Sequence, residues 1–211
     1  MNLSPSQRWW LVALLVSAAI SVAWFDVRLA TWINSISTPE MRTAGYWLEE
    51  AGKSHWILVY SLLMILATWR SWRSIARKHL VLFGSIAASG LLANVFKVLV
   101  CRPRPPLFLA EGLLSPQWFG FVTDWSWNSF PSGHATTGIA IAIAGSATWP
   151  RLRPLAWIVG LAIALGRVMY NVHYLSDVLT GMALGAAISW WMIRYESSSS
   201  SSSSGASSGA S

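Results

Sequence analysis

Three short stretches of the chain carry residue types that can act on a phosphate group. They read KVLVCRPRP at 97–105, PSGH at 131–134 and GRVMYNVHYLSD at 166–177. Their ionisable members include Lys97, Arg104, His134, Arg167, His173 and Asp177. Basic groups with several N–H donors suit the oxygens of a phosphoryl group, and histidine moves protons near neutral pH. The combination predicts phosphoryl-transfer chemistry.

The two histidines differ in their neighbours. His173 lies four residues before Asp177, so on a helix the two side chains share a face. That carboxylate would fix the tautomer of His173 and stabilise its charged form, which suits a nucleophile. His134 has no carboxylate nearby in sequence. We therefore predict that His173 is the nucleophile and that His134 protonates the leaving oxygen.

A phosphate site needs donors as well as catalytic groups. The hydroxyl of Ser132 and the backbone N–H groups of Gly133 and His134 lie where an apolar run begins, and the dipole at a helix start favours anions. The predicted phosphate-binding residues are Lys97, Arg104, Ser132, Gly133 and Arg167.

Each of these residues also has an ordinary structural interpretation. A basic residue at the end of a span can be a snorkelling anchor, Ser132 can be a helix N-cap, and His173 with Asp177 can be a structural pair. Ionisable groups at membrane depth, however, cost roughly 2.5 to 3.5 kcal/mol each. Because six of them converge, a functional site is the better interpretation.

A metal site is an alternative for the two histidines and Asp177. Two imidazoles and a carboxylate suit several metals, but three neighbouring cations would repel a metal ion. We expect neither a metal nor another cofactor.

The composition is that of a membrane protein. Of 211 residues, 54% are hydrophobic and 11% are charged, whereas about a quarter of the residues of soluble domains are charged. The formal charge of +7 is explained by membrane orientation and an anion site, and because no Lys/Arg block is present we expect no nucleic-acid partner. Cys101 is the single cysteine, so no internal disulfide forms.

Uncharged runs of membrane length predict six spans. They are Trp9 to Phe25, Ser54 to Trp69, Leu80 to Cys101, Ala135 to Trp149, Leu155 to Gly166 with an extension to Tyr170, and Ser176 to Ile193. We predict an all-α, polytopic six-helix bundle within one domain, residues 1–196. Residues 197–211, which are Ser, Gly and Ala, resemble a disordered linker or an appended remnant.

Positive charges predict the orientation of the bundle. With a cytoplasmic N-terminus, the inside segments carry eight basic residues against one acid, and the outside segments carry seven of each. The short loop RSWRSIARKH, residues 70–79, is the strongest cytoplasmic signal. All three chemical stretches then lie at the outer face. In an alternative interpretation, Arg8 and the first run form a signal peptide cleaved after SVA, residues 21–23, which removes one span and leaves the others in place.

The order and spacing of the three stretches resemble the signature of the type 2 phosphatidic acid phosphatase superfamily of membrane lipid phosphatases. The matching elements are Lys97, six residues and Arg104-Pro105; then Pro131 to His134; then Arg167, five residues, His173, three residues and Asp177. The resemblance implies a six-helix bundle and a metal-independent reaction through a phosphohistidine on His173. His134 would protonate the leaving lipid oxygen and then activate water.

The resemblance also selects between the two Arg-Pro pairs of CRPRP. It assigns the phosphate role to Arg104, so we expect the loss of Arg102 to lower turnover far less. One departure from the pattern is Gly166, where the family usually has serine before Arg167; the departure removes a possible hydroxyl donor.

The leading functional prediction is hydrolysis of a lipid phosphate or diphosphate at the outer face of a bacterial cytoplasmic membrane. Undecaprenyl diphosphate, phosphatidylglycerophosphate, phosphatidic acid and lipid A 1-phosphate all present such a group. A lipid-to-lipid phosphotransferase would use the same site. A transporter or scaffold explains the spans but does not explain the donors, the nucleophile and the acid. The expected partners are a lipid substrate and the bilayer.

Overall fold

The computed structural model describes residues 3–205, which contain helices and no strand. The helices are α1 (Pro5–Ile20), α2 (Asp26–Ile36), α3 (Pro39–Ala51), α4 (Ser54–Thr68), α5 (Arg73–Val100), α6 (Pro105–Glu111), α7 (Gly133–Ala140), α8 (Ser146–Thr148), α9 (Arg153–Met169) and α10 (Leu175–Gly205). Single π-helical turns join α1 to α2 at Ser21–Phe25 and α7 to α8 at Ile141–Gly145. Short 3₁₀ turns occupy Trp125–Trp127 and Pro150–Leu152.

Five helical segments of the described part are long and apolar enough to cross a membrane. They are Pro5–Ile36, Pro39–Thr68, Arg73–Glu111, Pro150–Met169 and Leu175–Ser199. The predicted all-α, polytopic membrane fold is therefore confirmed. The remaining predicted span, Ala135 to Trp149, is helical from Gly133 to Thr148 and is shorter than the other five.

This short span forms the centre of the bundle. Helix α7 packs against α5, α9 and α10, and every residue of α7 after His134 is buried. A Cβ atom on Gly138 or on Gly160 would overlap the carbonyl oxygen of the other, and a Cβ on Gly181 would press on the Ser132 carbonyl. Small residues allow membrane helices to approach this closely. The packing therefore fixes the depth of His134, in the first turn of α7.

Two segments extend further than their apolar runs. The first helical segment continues through α2 to Ile36, past the predicted end at Phe25. Helix α10 continues past Ile193 to Gly205, into the segment predicted to be a tail. The rest of that segment, residues 206–211, lies outside the described residues.

The three chemical stretches meet at one end of the bundle. Helix α5 ends where Cys101 adopts a left-handed conformation, with φ 44°. The backbone N–H of Ser132 donates to the Asp177 carbonyl at 3.0 Å, which joins the start of α7 to the start of α10. A Cβ atom on Gly133 would lie 3.6 Å from Lys97 Nζ, so the last turn of α5 reaches the same place.

Candidate active site

Asp177 is a fully buried carboxylate with partners on both oxygens. Its Oδ1 accepts from Arg102 Nη1 at 2.6 Å. Its Oδ2 accepts from Ser129 Oγ at 2.6 Å and from the backbone N–H of Tyr174 at 2.9 Å. These contacts hold the carboxylate at the base of the loop that carries His173.

His173 is buried beside this carboxylate. Its Nδ1 lies 3.8 Å from Asp177 Oδ2, beyond the roughly 3.2 Å limit of an ordinary hydrogen bond, and has no hydrogen-bond partner among the described residues. Asp177 therefore acts on His173 through its charge. Burial and the Arg104 charge lower the pKa of His173 well below its ordinary value, against the opposing effect of Asp177. A lowered pKa favours the neutral ring, which is the form that a nucleophile requires.

Arg104 and Arg167 bring two buried guanidinium groups to His173. Arg104 donates to the carbonyls of Val172 at 3.3 Å and Asn128 at 3.2 Å. Within the described part of the chain, Nε of each arginine is buried and has no hydrogen-bond partner. Buried polar groups are normally satisfied. Two charged groups with unused N–H donors beside one neutral imidazole suit an anionic ligand.

Lys97 and the start of α7 complete the predicted set. The Lys97 ammonium approaches Gly133, as described above, and it is near enough to Arg104 and Arg167 to interact electrostatically with both. Ser132 is the N-cap of α7, and its Oγ accepts from the backbone N–H of Ala135 at 3.4 Å. The ordinary interpretation of Ser132 is thus present, and its own O–H remains available as a donor.

His134 lies on the α3 side of this cluster. Its Nε2 is 3.1 Å from the backbone carbonyl oxygen of Glu49. The side chain of Glu49 points to another predicted site residue, because its Oε2 lies 2.8 Å from Arg167 Nη1. Glu49 therefore contacts both His134 and Arg167.

Arg102 is buried and forms ion pairs with two carboxylates. Besides Asp177, its guanidinium donates to Asp26 Oδ2 at 2.8 Å and to Ser176 Oγ at 2.7 Å. Asp26 also accepts from Ser21 Oγ at 2.6 Å. The structure thus gives Arg102 a function that the motif spacing did not predict, which is to hold the carboxylate next to His173.

Gly166, the departure from the family pattern, is a point of close helix packing. A Cβ atom there would lie 2.8 Å from Leu48 Cδ1 of α3. A serine would press on the helix that carries Glu49, so the glycine allows α3 to pack directly on α9.

Sequence reasoning missed Asp26, Glu49, Arg102 and Ser129. One signal was present for Asp26, which is an acid directly after an apolar run and therefore expensive at membrane depth. Glu49 lies in a segment with no recognisable motif, and Ser129 had no signal.

The side chains described up to residue 199 contain no group of three or more His, Cys, Asp or Glu residues that could hold a metal ion. The charged groups that converge on His173 are Arg104, Arg167 and Asp177.

Comparisons with known proteins find similar sequences along most of the chain. The family model described as PAP2 superfamily matches residues 78–200. A lipid A 1-phosphatase of Rhizobium etli is 31% identical over 199 residues, covering 88% of this chain and 84% of the relative. An undecaprenyl-diphosphatase of Sulfolobus acidocaldarius is 30% identical over 183 residues, covering 82% of this chain and 80% of the relative.

The fold matches a solved structure as well. The transmembrane PAP2 type phosphatidylglycerolphosphate phosphatase from Bacillus subtilis superposes with a TM-score of 0.64 at 19% identity, covering 92% of this chain and 95% of the other. The family model matches residues 78–200, and the Rhizobium etli relative is 31% identical over 88% of this chain. The chain therefore belongs to the PAP2 superfamily and is a membrane lipid phosphatase.

Proposed function

We propose that this enzyme removes a terminal phosphate from a membrane lipid through a phosphohistidine on His173, without a metal ion. The substrate class is a lipid phosphate monoester or diphosphate, as the names of the relatives suggest. The observation that carries the proposal is the pair of buried arginines near His173, Arg104 and Arg167, each with an Nε that has no hydrogen-bond partner among the described residues.

In the first step, the lone pair of a neutral ring nitrogen of His173 attacks phosphorus. The P–N bond forms as the bond between phosphorus and the lipid oxygen breaks. Burial and the Arg167 charge lower the pKa of His134 to about 4, so His134 takes up its proton when the substrate phosphate brings negative charge into the site. It then gives this proton to that oxygen, so the lipid leaves as an alcohol, or as a monophosphate when the substrate is a diphosphate. Lys97, Arg104 and Arg167 stabilise the charge that develops on the three equatorial oxygens.

In the second step, water attacks the phosphohistidine. His134, now neutral, takes a proton from the water as the P–N bond breaks and inorganic phosphate leaves. This returns both histidines to their starting protonation states, so the cycle needs no other acid or base.

An apolar groove supports a lipid substrate. It has a volume of about 760 Å³ and lies between α4, α5 and α9. Ala51 and Ile163 line one end, where Gly52 packs against both Ile163 and His134. Trp149 and Leu152 line the other end. A hydrocarbon chain in this groove would place its phosphate at the histidines.

Charge asymmetry supports an outward-facing site in a bacterial cytoplasmic membrane. The basic loop 70–79 lies at the start of α5 and favours the cytoplasm. The candidate active site lies at the other end of the bundle, where α5 and α9 end. Substrates would then arrive from the outer leaflet.

The experiment is phosphate release by the purified protein from phosphatidic acid, phosphatidylglycerophosphate, undecaprenyl diphosphate and lipid A, with and without EDTA. We expect free phosphate from at least one lipid and no loss of rate with EDTA. Phosphate that appears only on a second lipid would identify a phosphotransferase instead. Complete inhibition by EDTA that Zn²⁺ or Mg²⁺ reverses would contradict the metal-free mechanism.

A further inference from the structure

Glu49, which lies outside the three motifs, contacts two of the side chains that the proposed reaction uses. The Glu49 carboxylate forms an ion pair with Arg167 Nη1 at 2.8 Å, without the geometry of a hydrogen bond. Its backbone carbonyl contacts His134 Nε2 at 3.1 Å, and because a carbonyl oxygen only accepts hydrogen bonds, that nitrogen carries a hydrogen in this contact. Glu49 therefore ties down a phosphate donor and the proton donor together.

Close packing places Glu49 there. Helix α3 lies directly against the site because three glycines leave room for it. A Cβ atom on Gly45 would lie 2.7 Å from Tyr170 Cδ2, one on Gly52 would lie 2.7 Å from His134 Cδ2, and one on Gly166 would lie 2.8 Å from Leu48 Cδ1. These contacts flank Glu49 on both sides, so its position follows from the backbone of α3.

The chemistry of the contact is that of a phosphate mimic. A carboxylate and a phosphoryl group both present anionic oxygens that a guanidinium can bind. The Arg167 side chain is 2% exposed, whereas that of Glu49 is 27% exposed. The arginine is thus fixed inside the site, and the carboxylate reaches it from the more open side, which is the side that can release it.

We propose that Glu49 is an internal competitor for the phosphate site: substrate phosphate must displace its carboxylate from Arg167, and the carboxylate returns when product phosphate leaves. This inference rests on the proposed function for the identity of the ligand. Every oxyanion meets the same competitor, so Glu49 weakens the binding of substrate and product by one common factor. It does not choose between them.

The test uses inorganic phosphate as the probe and the full-length protein in detergent. Glu49→Gln keeps the shape of the side chain and removes its charge. We expect its dissociation constant for phosphate, read from thermal stabilisation, to fall by about tenfold, because a charged carboxylate at ion-pair distance no longer competes for Arg167. KM for the lipid substrate should fall by the same factor.

Two matched variants separate contact from charge. Glu50 is the next residue, pairs with Lys53 and makes no described contact with Arg167. Glu50→Gln removes an equal charge, so it should leave phosphate affinity within about twofold of the wild type because it breaks no contact in the site. Glu49→Asp keeps the charge but shortens the side chain, and it should tighten phosphate binding by releasing Arg167.

Weaker phosphate binding by Glu49→Gln would overturn the inference, because it would mean that Glu49 orients Arg167 for the ligand. Equal effects of Glu49→Gln and Glu50→Gln would overturn it too. The binding assay needs no turnover. A protein that releases no phosphate from any lipid, yet binds phosphate more tightly as Glu49→Gln, would therefore refute the proposed hydrolysis and retain the competitor.

Discussion

Arg102 donates to the Asp177 carboxylate at 2.6 Å. An arginine that was not predicted to bind phosphate therefore holds the carboxylate next to His173, the predicted nucleophile. The same guanidinium pairs with Asp26 at 2.8 Å. All three groups are buried. Removing one member of a buried ion pair leaves an uncompensated charge and costs about 3 to 5 kcal/mol.

Replacing Arg102 should therefore mainly lower stability, whereas replacing Arg104 should mainly lower activity. Arg102→Met should lower the melting temperature strongly, since Asp26 and Asp177 both lose their cation, and activity should fall with the folded fraction. Arg104→Met breaks two hydrogen bonds to carbonyls and should lower kcat/KM by on the order of 10² or more, as for a transition-state donor, with a smaller loss of stability. Melting curves and turnover of both variants check this. Equal melting temperatures would contradict the structural function of Arg102.

The fall of kcat/KM on the acid side of the pH profile, its acid limb, should follow the protonation of His173. Burial and Arg104 lower the pKa of His173 below the ordinary value of about 6.5, while Asp177 opposes them. Because only the neutral ring attacks phosphorus, kcat/KM should persist below pH 6.5 and fall at lower pH.

The sign of each contribution can be measured with two variants. Arg104→Gln removes a charge that lowers the pKa of His173, so the acid limb should move to higher pH. Asp177→Asn removes a charge that raises this pKa, so the limb should move to lower pH, although the maximal rate falls. Shifts in the same direction for both variants would refute the assignment of this limb to His173.

Opposite ends of the bundle should face opposite sides of the membrane. Ser74 and Ser115 are both exposed, and Cys101 is buried. In a Cys101→Ser background, a cysteine at position 115 should react with an impermeant maleimide added outside intact cells, and a cysteine at position 74 should react only after permeabilisation. Labelling of both from one side would overturn the orientation.

Hydropathy predicted most of the membrane helices, and motif spacing predicted the three chemical stretches, because both signals depend on residues that are close in sequence. The run Ser54 to Trp69 contains α4, Ser54–Thr68, and the structure places Arg104 and Arg167 near His173. Contacts between distant residues were not predictable. Arg102 meets Asp177 across 75 positions, and Glu49 reaches Arg167 because glycines let α3 approach α9, which depends on three-dimensional packing.

The apolar groove provides a test of how the lipid tail binds. Val159 lines it, and Val159→Trp should fill part of it. We expect KM for a long-chain lipid phosphate to rise by about tenfold or more, since each displaced CH₂ of the tail is worth about 0.8 kcal/mol. KM for a water-soluble aryl phosphate should not change. Ile158→Trp is the matched control, because Ile158 is on the same helix, is exposed and does not line the groove. An equal rise in both variants would exclude the groove as the tail site.

Substitutions of the two histidines should have different effects if His173 takes the phosphoryl group and His134 transfers the proton. His173→Ala should form no covalent phosphoenzyme, since the nucleophile is gone. His134→Ala should be nearly inactive on a lipid, whose alkoxide leaves poorly, yet should form phosphoenzyme from an aryl phosphate, whose leaving group needs little protonation. His55→Ala is the matched control, because His55 is exposed and should behave as wild type. Acid quenching followed by peptide mapping locates the label. Label on His134 in the His173→Ala protein would reverse the two assignments, whereas acid-labile label on His173 in the His134→Ala protein is the result that the geometry around Asp177 leads us to expect.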